Sequence, residues 1–317
     1  MIPVLARTKT GLAAARATLT GPVVLVPTMG ALHDGHRAPL RRARELSGPN
    51  GSLVISIFVN PLQFGPNEDL ARYPRALERD IAICAEEGVA LVFAPGPAQM
   101  YPDEPTITVN PGAMGRVLEG AWRPGFFDGV LTVVLKLFHL VVPDVALFGE
   151  KDAQQLALVR RMTDDLNLPV RIESAPTYRY PDGLAASSRN AYLSTAERAT
   201  ALSLSRALRS AAVVAGDPAA GNGQAQDDSQ AQDGRAQDHD RAQDRGPAGV
   251  LAAARAELAA AAAADPPLVT DYLALVDPAT FTEVDPAHTG PALLLVAGTV
   301  GKTRLIDNTA LTLRGGR

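Results

Sequence analysis

One cysteine in 317 residues, Cys84, excludes an intramolecular disulfide framework and suits a reducing, cytoplasmic setting. Lysine is nearly as scarce. Only Lys9, Lys136, Lys151 and Lys302 occur, and arginine supplies the rest of the positive charge, so each retained lysine draws slightly more interest. The longest apolar run, 129–142, is interrupted by Lys136 and His139 and falls short of the ~18 residues of a membrane span. The opening segment, Met1 to Arg7, lacks the apolar core of a signal peptide. A net charge of -4 argues against a nucleic-acid binder that works by neutralising phosphates. Zinc ligands are missing as well: His139, His239 and His288 form no cluster, and His-Glu-x-x-His is absent. What remains is an ordinary globular composition, 46% hydrophobic and 20% charged, with room for two domains.

The strongest local signal runs from Pro27 to His36. The apolar run Val23–Val26 before it reads as a buried strand, and the stretch from Pro39 through Arg44 reads as the opening of a helix. His33 and His36 therefore sit where a strand turns into a helix, the edge of an open α/β sheet at which ligands bind. Helix-opening amides attract anions there. Histidines add donors and, when protonated, charge for a phosphate in its transition state. Gly30 and Gly35 permit close backbone approach. Surface histidines or two metal ligands are the competing readings.

From Val23 to about Thr177 strands and helices alternate. Strands are read at 53–59, 89–93, 145–148 and 170–173, and helices at 77–87, 130–142 and 154–166. Such alternation predicts an α/β fold, a Rossmann-like doubly wound parallel sheet over residues 1–177. Residues 178–317 read as a smaller C-terminal α+β domain. Ser194 and Glu197 form a capping box that opens a helix to about Val214, an alanine-rich helix runs 250–264, and strands follow at 268–276, 292–297 and 302–306. Between the two helices, 217–248 is low in complexity, with Ala-Gln-Asp recurring, and reads as a disordered insertion or linker.

Three further stretches carry chemistry. Asn60 and Gln63 follow the second strong strand, and their amides suit hydroxyls and a carboxylate; turn chemistry around Asn60-Pro61 accounts for them equally well. Gly149 to Gln155 follows another strand. There Lys151 can neutralise phosphate, Asp152 can cap a helix or bind a ribose, and Gln155 lies on the first helical turn; a charged helix start is the plainer reading. Ser187, Ser188 and Arg189 place two hydroxyls and a guanidinium in a row, suited to terminal phosphates, or to a turn before a helix. The stretch from Gly298 to Thr303 fails as a phosphate loop, because position 296 is Val, and reads as a turn between strands.

These stretches, with PTMGALHDGH at 27–36, SIFVNPLQF at 56–64, YPR at 73–75, LEG and RPG within 118–125, GVLTVVLKL at 129–137, FGEKD and QQL within 148–156, DGLAASSRN at 182–190 and TRLIDN at 303–308, resemble the pantoate–β-alanine ligase family of the His-x-Gly-His nucleotidyltransferase superfamily. The resemblance spans nearly the whole chain in the family's order. It implies ATP-dependent ligation of pantoate to β-alanine through a pantoyl adenylate, with release of pyrophosphate and AMP, by a homodimer that uses ATP and Mg2+. It further implies that His33, His36 and Lys151 are catalytic. Nucleotide contacts are implied for Met29, Gly30, Ala31, Leu32, Asp34, Gly35, Gly149, Glu150, Asp152, Tyr178, Ala186, Ser187, Ser188 and Arg189. Gln63, Gln155 and Asn60 would hold pantoate, Gln63 would also touch β-alanine, and Asp80 matches an acidic position associated with metal. Departures from the family's pattern fall at Ala186, Phe126, Tyr180 and Ala153, and at Arg79 and Ile83 beside Asp80. The alternatives are another adenylyltransferase of the superfamily, which would not need Gln63 and Gln155, and a silent nucleotide-binding homologue.

Overall fold

The computed structural model describes residues 2–66, 68, 70–217 and 245–314. The chain divides into two compact units, residues 1–180 with 185–188, and residues 181–184 with 189–317. The first begins with β1 (Val4–Ala6), α1 (Lys9–Arg16), β2 (Val23–Thr28), α2 (Asp34–Ser47), β3 (Ser52–Ile57), α3 (Leu77–Glu86) and β4 (Leu91–Phe93). Two short helices, α4 (Pro97–Met100) and α5 (Glu119–Trp122), lead to α6 (Phe126–Val141), β5 (Val145–Gly149), α7 (Ala153–Asp165) and β6 (Arg171–Ala175).

The six strands form one sheet in the order β1-β4-β3-β2-β5-β6, and every pairing is parallel. Period-two alternation divides the side chains of β2 between two cores. Val23 and Leu25 join the cluster on the α1, α6 and α7 face, while Val24 and Val26 join the one around α2 and α3. Helices therefore cover both faces, which explains why these strands read as near-continuous apolar runs. After β2 the chain steps outward through β3 and β4, then returns to the other side of β2 as β5. The crevice between β2 and β5 is thus the topological switch point, where open α/β sheets bind ligands.

Within the second unit, α8 (Thr195–Ala215) packs on α9 (Pro247–Ala262), and β7 (Leu268–Val276), β8 (Gly290–Val300) and β9 (Thr303–Leu313) make an antiparallel sheet in that order. Ser194 and Glu197 form the expected capping box, with bonds of 3.2 and 2.8 Å. The turn read at 298–303 is a tight one at Gly301 and Lys302, with Gly301 at φ 58°.

Several readings need correction. β1 and α1 are absent from the pattern-based expectation; β1 exposes Val4 and Leu5 and buries only Ala6. α2 starts at Asp34, five residues before the expected opening at Pro39, which lies inside it. Its true start is hidden because its cap is a histidine rather than Ser, Thr, Asp or Asn. α9 begins at Pro247, inside the expected 217–248 insertion, because proline suits the first helical position. Residues 218–244 of that insertion lie outside the described residues. Ser187 and Ser188, assigned from sequence to the smaller domain, group with the first unit: Arg179 bridges to Ala185, and the Ala186 N–H donates to the Tyr178 carbonyl at 2.9 Å.

Candidate active site

Three adjacent parallel strands deliver the predicted residues to one edge. β2 ends in the loop Met29–His33, β3 runs into Phe58–Gln63, and β5 ends at Gly149, before the 3₁₀ turn Glu150–Asp152. The Gln63 Nε2 donates to the Met29 Sδ at 3.4 Å, so the ends of β2 and β3 touch through side chains. Ala186 lies against the start of α2: a Cβ added to Gly35 would sit 2.6 Å from its Cβ and 2.7 Å from the His33 ring.

In the loop from Gly30 to His36, the amides of Gly30, Ala31, Leu32, His33, Gly35 and His36 already have partners within the protein. The Gly30 N–H donates to Thr28 Oγ1, at 3.2 Å. The Asp80 carboxylate accepts from Ala31 at 2.9 Å and from Leu32 at 2.7 Å. His33 Nδ1 accepts the Gly35 amide at 3.1 Å, and His36 Nδ1 accepts the His33 amide at 3.2 Å, a capping box built from two imidazoles. The His36 amide bonds the His33 carbonyl at 2.7 Å. The backbone is also bent: Gly30 has φ 83° and Ala31 φ 53°. A side chain at position 30 would lie 2.8 Å from Ile57 Cγ2 and 2.9 Å from Asp80 Oδ2, so glycine is required there.

These bonds fix the state of both histidines. A ring nitrogen that accepts an amide N–H carries no proton, so in each neutral ring the hydrogen is on Nε2. The rings are 4.2 Å apart and tilted by 59°. Burial, then the Lys151 ammonium, lowers His33 to about 4; burial, then His33 and Lys151, lowers His36 to about 3. Protonated histidines, one of the sequence-based options, are therefore corrected to neutral Nε2–H donors. The fixed positive charge beside them is Lys151, whose side chain is 18% exposed and stands 3.9 Å from Asp152. Asp152 makes no side-chain cap on α7, although it occupies the cap position. Glu150 accepts the Ser174 hydroxyl at 2.7 Å.

At the β3 edge, Asn60 is 1% exposed and starts the 3₁₀ turn Pro61–Gln63. Its Nδ2 donates to Gln63 Oε1 at 3.0 Å and to the Gly129 carbonyl at 3.1 Å, and its Oδ1 accepts from the Tyr101 hydroxyl at 3.0 Å and the Leu62 amide at 3.4 Å. Gly129 permits this because a Cβ on α6 there would run into the Leu62 carbonyl. Gln155 is half-buried on the first turn of α7. Its neighbour Gln154 is 3% exposed and serves the backbone, accepting from Glu119 at 3.2 Å and donating to the carbonyls of Met114 and Val117 at 2.7 and 2.9 Å. Ser188 shares a 3.2 Å hydrogen bond with Tyr73. Arg189 falls in the second unit.

Asp80 is the residue whose role the sequence conceals. Its side chain is 1% exposed and both oxygens are engaged by the loop amides; burial pushes its carboxyl upward and those two amides oppose the shift. That arrangement does not fit a magnesium ligand, which needs an exposed oxygen. Among the described residues, no group of three or more His, Cys, Asp or Glu side chains is placed to hold a metal. Arg123 is a second residue that sequence reasoning misses. It pairs with Glu68, donates to the Gln63 carbonyl at 2.9 Å and lies 3.6 Å over the Phe126 ring, so the departure at Phe126 supports a cation–π contact. Its only signal in the sequence is the motif RPG. Among the described residues no helix is long and apolar enough to cross a membrane.

A family model described as Pantoate-beta-alanine ligase matches residues 4–310. A pantothenate synthetase of Thermobifida fusca is 57% identical, over 98% of this chain and 96% of that one. One from Acidothermus cellulolyticus is 55% identical, over 96% and 91%. Among solved structures, the pantothenate synthetase of Thermus thermophilus superposes with a TM-score of 0.80 at 44% identity, covering 96% of this chain and 98% of that one. A pantoate-beta-alanine ligase from Francisella tularensis, complexed with beta-gamma ATP and beta-alanine, gives 0.70 at 29% identity, with 97% of each chain covered.

Proposed function

The chain belongs to the pantoate–β-alanine ligase family, and from that premise we propose that it joins pantoate to β-alanine with ATP by way of a pantoyl adenylate. The carboxylate of pantoate attacks the α-phosphorus and pyrophosphate leaves. The amine of β-alanine then attacks the acyl carbon and AMP leaves. The observation that carries this reading is the pair of neutral imidazoles at the switch point, each with its Nδ1 held by a backbone amide and its Nε2–H available. Donors fixed in advance stabilise the charge that grows on the α-phosphate oxygens without reorganising during the step. Lys151 supplies the positive charge the histidines lack. Phosphoryl chemistry of this kind needs positioning and charge stabilisation rather than a protein nucleophile.

In the same reading Gln63 and Gln155 hold pantoate, and the β-alanine amine arrives beside Gln63. The loop Met29–His36, Gly149–Asp152, Tyr178 and Ala186 surround the nucleotide, and Ser187, Ser188 and Arg189 take the β- and γ-phosphates. Magnesium would enter bound to the phosphates of ATP and help to neutralise their charge. The working form is a cytoplasmic homodimer, the state implied by the resemblance.

Omitting substrates one at a time tests the proposal. ATP with pantoate alone should yield pyrophosphate and a bound adenylate, and AMP should appear only when β-alanine is added. Pyrophosphate that forms only in the presence of β-alanine would overturn the adenylate route.

A further inference from the structure

Gln63 has two faces, one that accepts hydrogen bonds and one that donates them. Which one meets the substrate decides what chemistry the pocket takes. An amide side chain in a pocket is free to rotate by half a turn unless its neighbours forbid it.

Here the neighbours forbid it in sequence. The Gly129 carbonyl can only accept, so it fixes the Nδ2 side of Asn60 at 3.1 Å. The Leu62 amide can only donate, so it fixes the Oδ1 side at 3.4 Å. The Tyr101 hydroxyl adds a 3.0 Å bond to that oxygen, and burial pushes its pKa upward, which keeps it a neutral donor. The second Nδ2 hydrogen of Asn60 then reaches Gln63 Oε1 at 3.0 Å. With its oxygen taken, Gln63 turns its Nε2 outward, and that nitrogen is found 3.4 Å from Met29 Sδ, on the histidine side. Thioether sulfur is a weak acceptor, easily displaced by an oxygen.

We propose that Asn60 and Tyr101 are positioning residues that lock Gln63 with its amide hydrogens toward the substrate, so that the pocket selects an acid through its oxygen acceptors. Asn60 itself spends both hydrogens and its oxygen within the protein, and therefore acts on pantoate through Gln63 rather than by contact. This revises its place among the pantoate ligands expected from sequence. The inference rests on the reading that Gln63 holds pantoate.

Replacing Asn60 by an ionised carboxylate removes every donor from that position. In Asn60→Asp the stable arrangement has Gln63 donating to the new carboxylate and showing its carbonyl to the substrate, so that two acceptors face each other. KM for pantoate should rise by about 10- to 100-fold, the range for an unmade buried hydrogen bond, while KM for ATP stays within about twofold. Tyr101→Phe keeps the ring against Phe58 and removes only the hydroxyl. It should raise KM for pantoate several-fold in the same selective way, and it decides the matter if Asn60→Asp does not fold.

The cycle with Gln63→Ala separates the outcomes. If Asn60 and Tyr101 act through Gln63, neither substitution adds to the pantoate effect once Gln63 is alanine. Effects that add in the double variants, or that raise both KM values together, would mean mere support of the fold and would overturn the proposal. An unchanged pantoate KM in Gln63→Ala alone would remove the reading of Gln63 as a pantoate ligand, and this inference with it.

Discussion

Lowering the pH from 7.5 to 5.0 should destabilise this protein through His33 and His36, and leave both uncharged in the native state. A histidine with an ordinary constant near 6.5 is about 75% protonated at pH 6, whereas one at about 4 is about 1% protonated. The unfolded chain therefore takes up protons that the native site refuses. Because both folded values lie below the unfolded one, stability is lost as pH falls through about 6.5 and goes on falling until the folded values are reached, about 4 for His33 and about 3 for His36. Between pH 7.5 and 5.0 each ring contributes about 2 kcal/mol to this loss, or about 4 kcal/mol for the pair. The control is His33→Asn with His36→Gln, which keeps side chains suited to the cap and to the third helical position but cannot titrate. Urea midpoints of the two proteins across that pH range measure the difference. The slope of the natural protein should exceed that of the control, and ¹⁵N imidazole shifts at pH 6 should report both rings as neutral with hydrogen on Nε2. Parallel midpoint curves, or a ring that titrates near 6.5, would refute the assignment of neutral donors.

Two further outcomes follow from the packing around the same loop. Asp80→Asn keeps the shape but turns one N–H₂ toward a loop amide, losing a bond to a charged group and stranding a buried donor; it should cost about 2–4 kcal/mol in urea unfolding and leave the Mg2+ dependence of turnover unchanged. A several-fold shift in the Mg2+ requirement would instead restore Asp80 as a metal ligand. Gly129→Ala should destabilise the protein by about 1–3 kcal/mol and raise KM for pantoate, because the added methyl displaces the turn Pro61–Gln63 from α6. A stabilised variant, the result that helix propensity alone favours, would show that the close approach is absent.

The parallel sheet is legible because burial on both faces writes itself into sequence as apolar runs: Val23–Val26 and Val145–Phe148 fall on observed strands, and the run 53–59 overshoots β3 by two residues, since the strand ends at Ile57. The edge strand β1 is not: its Val4 and Leu5 are exposed and only Ala6 is buried, whereas the equally short β4 is buried throughout. The site is legible as a set of residue types at strand ends, but its polarity is not. Whether an amide receives a phosphate or is already taken depends on a partner far along the chain, and Asp80 lies 48 residues from Leu32. Protonation is hidden for a related reason. In sequence His33 and His36 read as donors or, when protonated, as charges, and burial and Lys151 acting together favour the neutral donors. Asn60 marks the same limit from the other side. Its type suggests contact with a ligand, yet Gly129 and Tyr101, 69 and 41 residues away, take up its hydrogen bonds, and the Gln63 Nε2 beside it turns to Met29. Local pattern thus announces which side chains reach the edge of the sheet, and long-range pairing decides which of their atoms remain for chemistry.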